Sequence, residues 1–505
     1  MVTPEVFDRI ERAGIRCGMP AKSVRQGLVV ITKVVLRTGR PPEELVGDDI
    51  VAYRTWDRSR AGRCQKGEYA AWDLLRDADI FRNEPSLKEV LLKGQWPTTE
   101  LVDRHAIQCE HVRDALVRYL DERRPGLDYG SLRNLASILA GLFWADVERH
   151  HPGIESLHLP NDVAADWKVR LALITKPGQP PRARRSLLHI YTQVRSFYLD
   201  IQEWATEDPS WVPHAVPCPI RAGETDGQVK ARKKTIATMH QRVRDRLPHL
   251  LQLVEAAERD KSEQAALLNV AKATPVGATF LHDNAEYIRV HIKNSADRVV
   301  IREVATGTQV DIVRRELEAF YAWAIIETLR HTGVRLEELL GITHLALVSY
   351  RVPATGEVVP LLQIVPSKSN EERLLVVSPE LASVFASIVT RLRADNGGTI
   401  PLAARYDTTE RLVEAPLPHL FQHKLAWRPT VLSGTTVYKM LKQTLELASV
   451  TDAAGQPLHY TPHDFRRISP ARPSPAGCPS ISQPGYSATP RSPPRRPTSR
   501  SSRKT

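Results

Sequence analysis

Cysteine is scarce in this chain, and its copies are scattered. The five cysteines among 505 residues form no C-x-x-C pair, so the sequence predicts neither a zinc site nor a redox motif. A sparse, odd number of cysteines suits a reducing compartment, and the segment from Met1 to Ile10 has no apolar signal region. No apolar run reaches about 18 residues. We therefore expect a cytoplasmic protein with no membrane span.

Two motifs that carry common chemistries are also missing. The chain has no G-x-x-x-x-G-K-[ST] loop, which argues against nucleotide hydrolysis as an energy source. It has no G-x-S-x-G elbow either, which argues against a hydrolase that would use His463 with a serine. We expect no cofactor, and we find no cluster of metal-ligating residues in the sequence.

Positive charge, in contrast, is abundant. The chain carries 70 Lys and Arg against 58 Asp and Glu, a net charge of +12 and a pI of about 9.5. Such a balance favours a polyanionic partner, because Lys and Arg displace counterions from phosphate backbones. The alternative is a basic surface that is merely solvated.

The apolar spacing predicts a multidomain, mainly α protein. Helical periods run from about Val102 to Trp204, where Lys168, Arg184, Arg185 and Arg195 are interspersed. This region is either a DNA clamp with a basic face or an ordinary helical bundle. The predicted regions are an N-terminal region of unknown role (1–100), a helical domain (101–215), a basic connector (216–310), a mixed α/β domain (311–468) and a Pro/Ser/Arg-rich tail (469–505).

Local signals in the second half give a more detailed prediction. Two helices should meet at Gly333 within the stretch from Glu316 to Leu340, because glycine commonly ends a helix. Three runs separated by turns predict a small antiparallel sheet: Leu345–Tyr350, Val358–Val365 and Arg373–Val377. Ser378-Pro379 and Thr461-Pro462 each combine a helix cap with proline at the first helical position. Further helices are expected at Leu74–Phe81 and Thr435–Leu447, and strands between Tyr287 and Val304.

Four side chains at the ends of these elements suit a phosphodiester. Arg335 lies at the turn between two helices, Lys368 lies in the hairpin turn, and His463 and Arg466 share one face of a helix. Arginine forks bind the non-bridging oxygens and offset the charge that develops on the phosphorus centre. A lysine or histidine can protonate the leaving sugar oxygen.

In order and context these residues resemble the catalytic domain of the tyrosine-type site-specific recombinases, the phage-integrase family. Thr332 to Gly341, T-G-V-R-L-E-E-L-L-G, is similar to the first arginine motif. The resemblance implies that Arg335 binds the scissile phosphate and that Glu338 supports it. His463-Asp464-Phe465-Arg466 resembles the H-x-x-R box, which makes His463 the acid/base group and Arg466 the second phosphate ligand.

The same resemblance extends to the hairpin and to the helical domain. Pro366-Ser367-Lys368 followed by Glu372-Arg373 resembles the β-hairpin lysine motif, which makes Lys368 the general acid. The region from about Val102 to Trp204 fits the family's core-binding domain by position and helicity. The family fold is a C-shaped clamp on duplex DNA, so we expect double-stranded DNA as the partner and a homotetramer on DNA if the C-terminus were intact.

The tail departs from the family pattern. Nine Pro, nine Ser and six Arg fill 24 of the 37 positions after Ile468, so the tail should be disordered. The family pattern places a histidine at Thr489 and the nucleophilic tyrosine at Thr498. The only tyrosine in the tail, Tyr486, falls too early, in a Pro/Ser-rich context, so no nucleophile is identified.

A shifted reading frame near Ile468 would explain this departure. In that frame Ser487, Ala488 and Thr489 permit codons for Leu-Gly-His, and Thr498 permits Tyr. The alternative is a genuine disordered basic tail that adds nonspecific phosphate contacts. We therefore expect a recombinase or integrase of a mobile element that cleaves and rejoins DNA through a phosphotyrosine, impaired in the sequence as written. The alternative is a noncatalytic DNA-binding relative that acts as a competitor or architectural protein.

Overall fold

The computed structural model describes residues 4–62, 65–92, 94–292, 298–365, 372–452 and 454–468. Within these ranges the chain is mainly helical and carries small antiparallel sheets, as the sequence predicts. None of the helices in these ranges is long and apolar enough to cross a membrane.

The first half of the chain is almost entirely helical. Its helices are α1 (Pro4–Arg16), α2 (Ala21–Thr38), α3 (Gly47–Ala61), α4 (Glu68–Asp77), α5 (Leu87–Leu91), α6 (Thr98–Asp103), α7 (Glu110–Arg123), α8 (Tyr129–Ala136), α9 (Ala145–His150), α10 (Asn161–Leu171) and α11 (Leu187–Glu207). Its strands, β1 (Leu173–Lys176) and β2 (Gln179–Ala183), form a hairpin.

The second half mixes helices with short strands. Its helices are α12 (Gln228–Arg246), α13 (Leu250–Ala273), α14 (Ile312–Thr332), α15 (Leu336–Gly341), α16 (Pro379–Asp395), α17 (Gly434–Ala448) and α18 (Pro462–Ile468). Its strands are β3 (Thr279–His282), β4 (Ala285–Val290), β5 (Val300–Glu303), β6 (Gln309–Asp311), β7 (Leu347–Arg351), β8 (Val358–Ile364), β9 (Arg373–Val376), β10 (Tyr406–Asp407), β11 (Leu412–Val413), β12 (Gln422–Leu425) and β13 (Arg428–Val431).

The N-terminal helices α1 to α5 enclose a core of their own around Trp72. The helix predicted from Leu74 to Phe81 ends earlier, at Asp77, and Asp79 has a φ of 63°. The turn brings Phe81 edge-on against Trp72, with ring centroids 5.1 Å apart. Phe81 therefore reaches the same core through a turn, and not through a longer helix as its apolar spacing predicts.

Helices α6 to α11 enclose a second core, rich in aromatic side chains such as Phe143, Trp144 and Trp167. The chain between α8 and α9, Ser137–Trp144, is a π-helix, so the three segments form one continuous helical run. The expectation of an unbroken helical pattern fails at β1 and β2, which form an exposed two-stranded hairpin.

Most of the basic residues noted in this region make contacts within the chain. Lys168 Nζ lies 2.8 Å from Glu224 Oε2, Arg184 donates to the carbonyl of Leu171, and Arg195 donates to the carbonyl of Ile220. Only Arg185 of the four is exposed. These contacts favour a structural role for three of the four cations over a basic phosphate-binding face.

The largest core surrounds α14 and includes side chains from α13, α16, α17 and α18. Helix α14 is buried around most of its circumference from Ala319 to Leu329, as expected for a central helix. The sheet β7-β8-β9 adds Leu362 and Ile364 to this core. A separate four-stranded meander, β3-β4-β5-β6, packs on a smaller cluster with α13.

Local predictions for this half agree with the structure. Helix α14 ends at Thr332, and Gly333 follows with a φ of 60° before α15 begins. The three predicted strands are β7, β8 and β9, all antiparallel. The Ser378 hydroxyl accepts from the Leu381 N–H at the start of α16, as its cap signal predicts.

Two hairpins join the second half to the first. In the β10–β11 hairpin, the Glu410 side chain accepts from the Tyr129 N–H at the start of α8, at 3.2 Å. In the β12–β13 hairpin, Trp427 packs against the N-terminal core and its indole N–H donates to Asp73 Oδ2 at 2.9 Å. Arg428 forms an ion pair with the same carboxylate. The side chain of Asp73 is only 2% exposed, so this pair anchors the hairpin to α4.

We predict that Arg428→Met destabilises the folded chain by about 2 kcal/mol. Removing one partner of a buried ion pair costs roughly 3–5 kcal/mol, and partial exposure of Arg428 reduces that cost. Chemical denaturation measures the difference, with Arg58→Met on the exposed surface of α3 as the control. Adding Asp73→Asn should recover part of the loss, because the double variant removes both charges of the pair. A double variant less stable than Arg428→Met would contradict this account.

Candidate functional site

The turn between α14 and α15 fixes the position of Arg335. The positive φ of Gly333 ends α14, and the Gly333 N–H donates to the Leu329 carbonyl at 2.9 Å. Arg335 then caps α15: its backbone N–H donates to Glu338 Oε2 at 2.8 Å and its Nη1 donates to Oε1 at 2.7 Å. One carboxylate therefore holds both the backbone and the side chain of Arg335.

The same carboxylate attracts two further arginines. Arg373, the first residue of β9, donates from Nη2 to Glu338 Oε2 at 2.5 Å. Arg466 of α18 places Nη1 3.7 Å from that oxygen and donates to the Gly333 carbonyl at 3.2 Å. We call Arg335, Arg373 and Arg466 the arginine triad. It brings together elements that lie far apart in sequence.

Three guanidinium groups gather around one carboxylate. Within the described residues, Glu338 contacts Arg335, Arg373 and Arg466. The Glu338 side chain is 2% exposed, whereas each guanidinium-bearing side chain is nearly 30% exposed. Burial and the charges of Arg335 and Arg373 lower the pKa of Arg466, although Glu338 opposes them. A solvent-accessible anion would relieve this repulsion.

His463 lies on the same short helix as Arg466. Helix α18 begins after Thr461, whose N–H and hydroxyl both donate to Asp464 Oδ2, at 2.8 and 2.7 Å. The His463 side chain is exposed. Burial lowers the pKa of His463, and Arg467, Arg466 and Arg335 lower it further against the opposing charge of Asp464. The imidazole is therefore neutral near pH 7 and can accept a proton.

This arrangement is chemically suited to a phosphate ester. Guanidinium forks bind the oxygens of phosphate in two-point fashion, and their charge offsets that of a pentacoordinate intermediate. A neutral imidazole beside them can exchange a proton with a hydroxyl. No group of three His, Cys, Asp or Glu side chains within the described ranges is placed to hold a metal ion.

The structure brings together four of the five site residues named from the sequence: Arg335, Glu338, His463 and Arg466. Lys368 lies outside the described residues, as do Tyr486 and the rest of the tail. Sequence reasoning missed Arg373 as a site residue. Its position in the sequence could have indicated it, because Arg373 begins the third predicted strand shortly after the lysine of the hairpin motif.

Comparisons with protein-family models, with curated proteins and with solved structures find no match for this chain. The interpretation of the site therefore rests on its residues and their geometry.

We predict that Glu338→Gln disrupts the arginine triad. Without the carboxylate, three guanidiniums face one another across a buried amide, so the free energy of unfolding should fall by about 3 kcal/mol. Chemical denaturation measures this loss, and Glu357→Gln, an exposed residue in a turn, should change stability by less than about 0.5 kcal/mol. Equal stability of the two variants would show that Glu338 does not hold the triad together.

Proposed function

We propose that this chain binds duplex DNA at a backbone phosphate and that it is related to the tyrosine-type site-specific recombinases. The observation that carries the proposal is the arginine triad on one buried carboxylate, with His463 beside it. Two of the three arginines and the histidine occupy the motif positions that resemble that family. The net positive charge of the whole chain is a further, weaker support.

Each residue has a proposed role in strand cleavage. Arg335 and Arg466 bind the non-bridging oxygens of the scissile phosphate, and Glu338 fixes their directions. His463, neutral near pH 7, exchanges a proton with the attacking or leaving hydroxyl. The resemblance assigns Lys368 as the general acid that protonates the leaving sugar oxygen.

Whether such a chain cleaves DNA or only binds it depends on the nucleophile. A tyrosine hydroxyl would attack phosphorus and release the sugar hydroxyl, so that a phosphotyrosine conserves the bond energy for rejoining. Thr498 stands where the family pattern has that tyrosine. The chain as written is therefore proposed to bind DNA without cleaving it, whether as a frame-shifted recombinase or as a noncatalytic relative that competes for sites. Integration or excision of a mobile element is the proposed activity of the intact form.

We predict that Arg466→Gln and Arg335→Gln each weaken duplex binding and reduce its salt dependence. Each cation that contacts a phosphate contributes about 0.9 to the slope of log affinity against log salt. Fluorescence anisotropy at several salt concentrations measures the slope, with a duplex from the DNA flanking the gene. Arg393→Gln, on the exposed surface of α16, is the charge-matched control. Slopes that fall equally in all three variants would argue against a phosphate site at the triad.

We also predict that the chain as written forms no covalent adduct with nicked duplex DNA. A version whose residues 469–505 are replaced by the shifted reading frame should form one, because codon 498 in that frame can encode tyrosine. A denaturing gel distinguishes the two results. An adduct from the chain as written would mean a different nucleophile, and Tyr486→Phe would test it. Sequencing of the locus adds a check: a restored frame without a tyrosine codon at that position would overturn the frameshift.

A further inference from the structure

Helix α12 has an unusual composition for a helix inside a folded chain. Its 19 residues include seven Lys or Arg and one acid, Asp245. None of its described side chains is buried, so apolar packing contributes little to its position. Polar contacts must hold it in place.

The cations of α12 fall on two different faces. At 100° per residue, Lys230, Lys233, Lys234 and Arg244 share one stripe of the helix, and their side chains are exposed. We call this stripe the α12 cation row. Arg242 and Arg246 point away from it, on the opposite half of the helix.

Arg242 and Arg246 attach α12 to the start of α18. Arg242 makes a two-point contact with Asp464, in which Nη2 lies 2.7 Å from Oδ2. Arg246 donates to the His459 carbonyl at 2.9 Å, and the Tyr460 hydroxyl donates to the Arg246 carbonyl. Helix α12 is therefore attached to α18 through Asp464, which directly follows His463 in the chain.

Asp464 is the central group of this attachment. Its side chain is 3% exposed, and it also accepts both hydrogen bonds from Thr461 that start α18. Burial raises the pKa of Asp464, but the hydrogen bonds from Arg242 and Thr461 outweigh that effect and lower it. The carboxylate is thus charged at neutral pH, and a buried charge of this kind needs Arg242 as its partner.

We propose that Arg242 and Asp464 are positioning residues that couple duplex-DNA binding by the α12 cation row to the orientation of α18. The inference rests on the proposed function. The row presents three lysines within about one helical turn and Arg244 further along the same face, and exposed cations grouped on one face suit the phosphates of a DNA backbone. When α12 is docked, Asp464 holds α18 so that Arg466 and His463 face Arg335. Because such coupling is reciprocal, DNA on the row strengthens phosphate binding by Arg466.

The row is tested first, with the full chain and the flanking-DNA duplex. Replacing Lys230, Lys233 and Lys234 by Gln should lower the salt slope of binding by about 2–3. Lys233→Gln should also weaken binding more than Arg232→Gln, a charge-matched variant on the same helix but outside the row. Equal effects of the two single variants, or an unchanged slope in the triple variant, would overturn the assignment of the row.

The coupling is tested by a double-mutant cycle. In the wild-type background Arg466→Gln should weaken duplex binding about tenfold, the usual cost of a lost charged hydrogen bond. In the Arg242→Gln/Asp464→Asn background, which removes both charges of that pair, the same change should cost less than about twofold. Equal losses in the two backgrounds would show that the pair does not position Arg466. Circular dichroism melting of each variant checks that the fold is retained.

The pKa of His463, measured by nuclear magnetic resonance, gives a readout that needs no DNA. Removing the charge of Asp464 from an otherwise unmoved helix would lower this pKa further, because Asp464 raises it. Release of α18 from the core would instead relieve the burial of His463 and separate it from Arg335, which would return its pKa towards the ordinary value. We expect the rise in the Arg242→Gln/Asp464→Asn variant, and a fall would overturn the coupling. If the wild-type chain binds no duplex, the proposed function and the row fail together, while this titration still decides whether Arg242 and Asp464 position α18.

Discussion

The buried carboxylate of Glu338 is the interaction on which the candidate site depends. It cannot lie in the core without cationic partners, because an isolated buried charge costs several kcal/mol. The α14–α15 turn supplies Arg335, and the start of β9 and helix α18 supply Arg373 and Arg466. Each of the three arginine side chains remains nearly 30% exposed, so solvent reaches the cations that the buried carboxylate gathers. The phosphate site proposed for this chain would use that exposed part.

Much of the fold around this carboxylate could be predicted from the sequence, because its signals are local. Gly333 indicates the helix end since only a residue that tolerates positive φ fits there, and it adopts a φ of 60°. Ser378 and Thr461 indicate helix starts: the Ser378 hydroxyl accepts from the Leu381 N–H, whereas the Thr461 N–H donates to the Asp464 carboxylate. The motif order also brought Arg335, Glu338, His463 and Arg466 into one hypothesis, and they lie together.

What could not be predicted depends on partners distant in sequence. Arg373 looked like an ordinary strand residue, and only the tertiary fold places it on Glu338. Lys168 and Arg195 looked like a basic face, but each contacts a residue of the following connector, Glu224 or Ile220. Residue type gives the charge of a side chain; the fold decides whether that charge is used inside the chain or is left for a ligand.

Three buried carboxylates have the same role at three junctions. Asp73 receives Arg428 of the β12–β13 hairpin, Asp464 receives Arg242 of α12, and Glu338 receives the arginine triad. The joined elements are short or, like α12, bury no described side chain, so the ion pairs add to whatever apolar contact orients them. A buried ion pair adds little net stability compared with an apolar substitute. Its two-point geometry restricts direction, however, and direction is what a phosphate site built from separate elements requires.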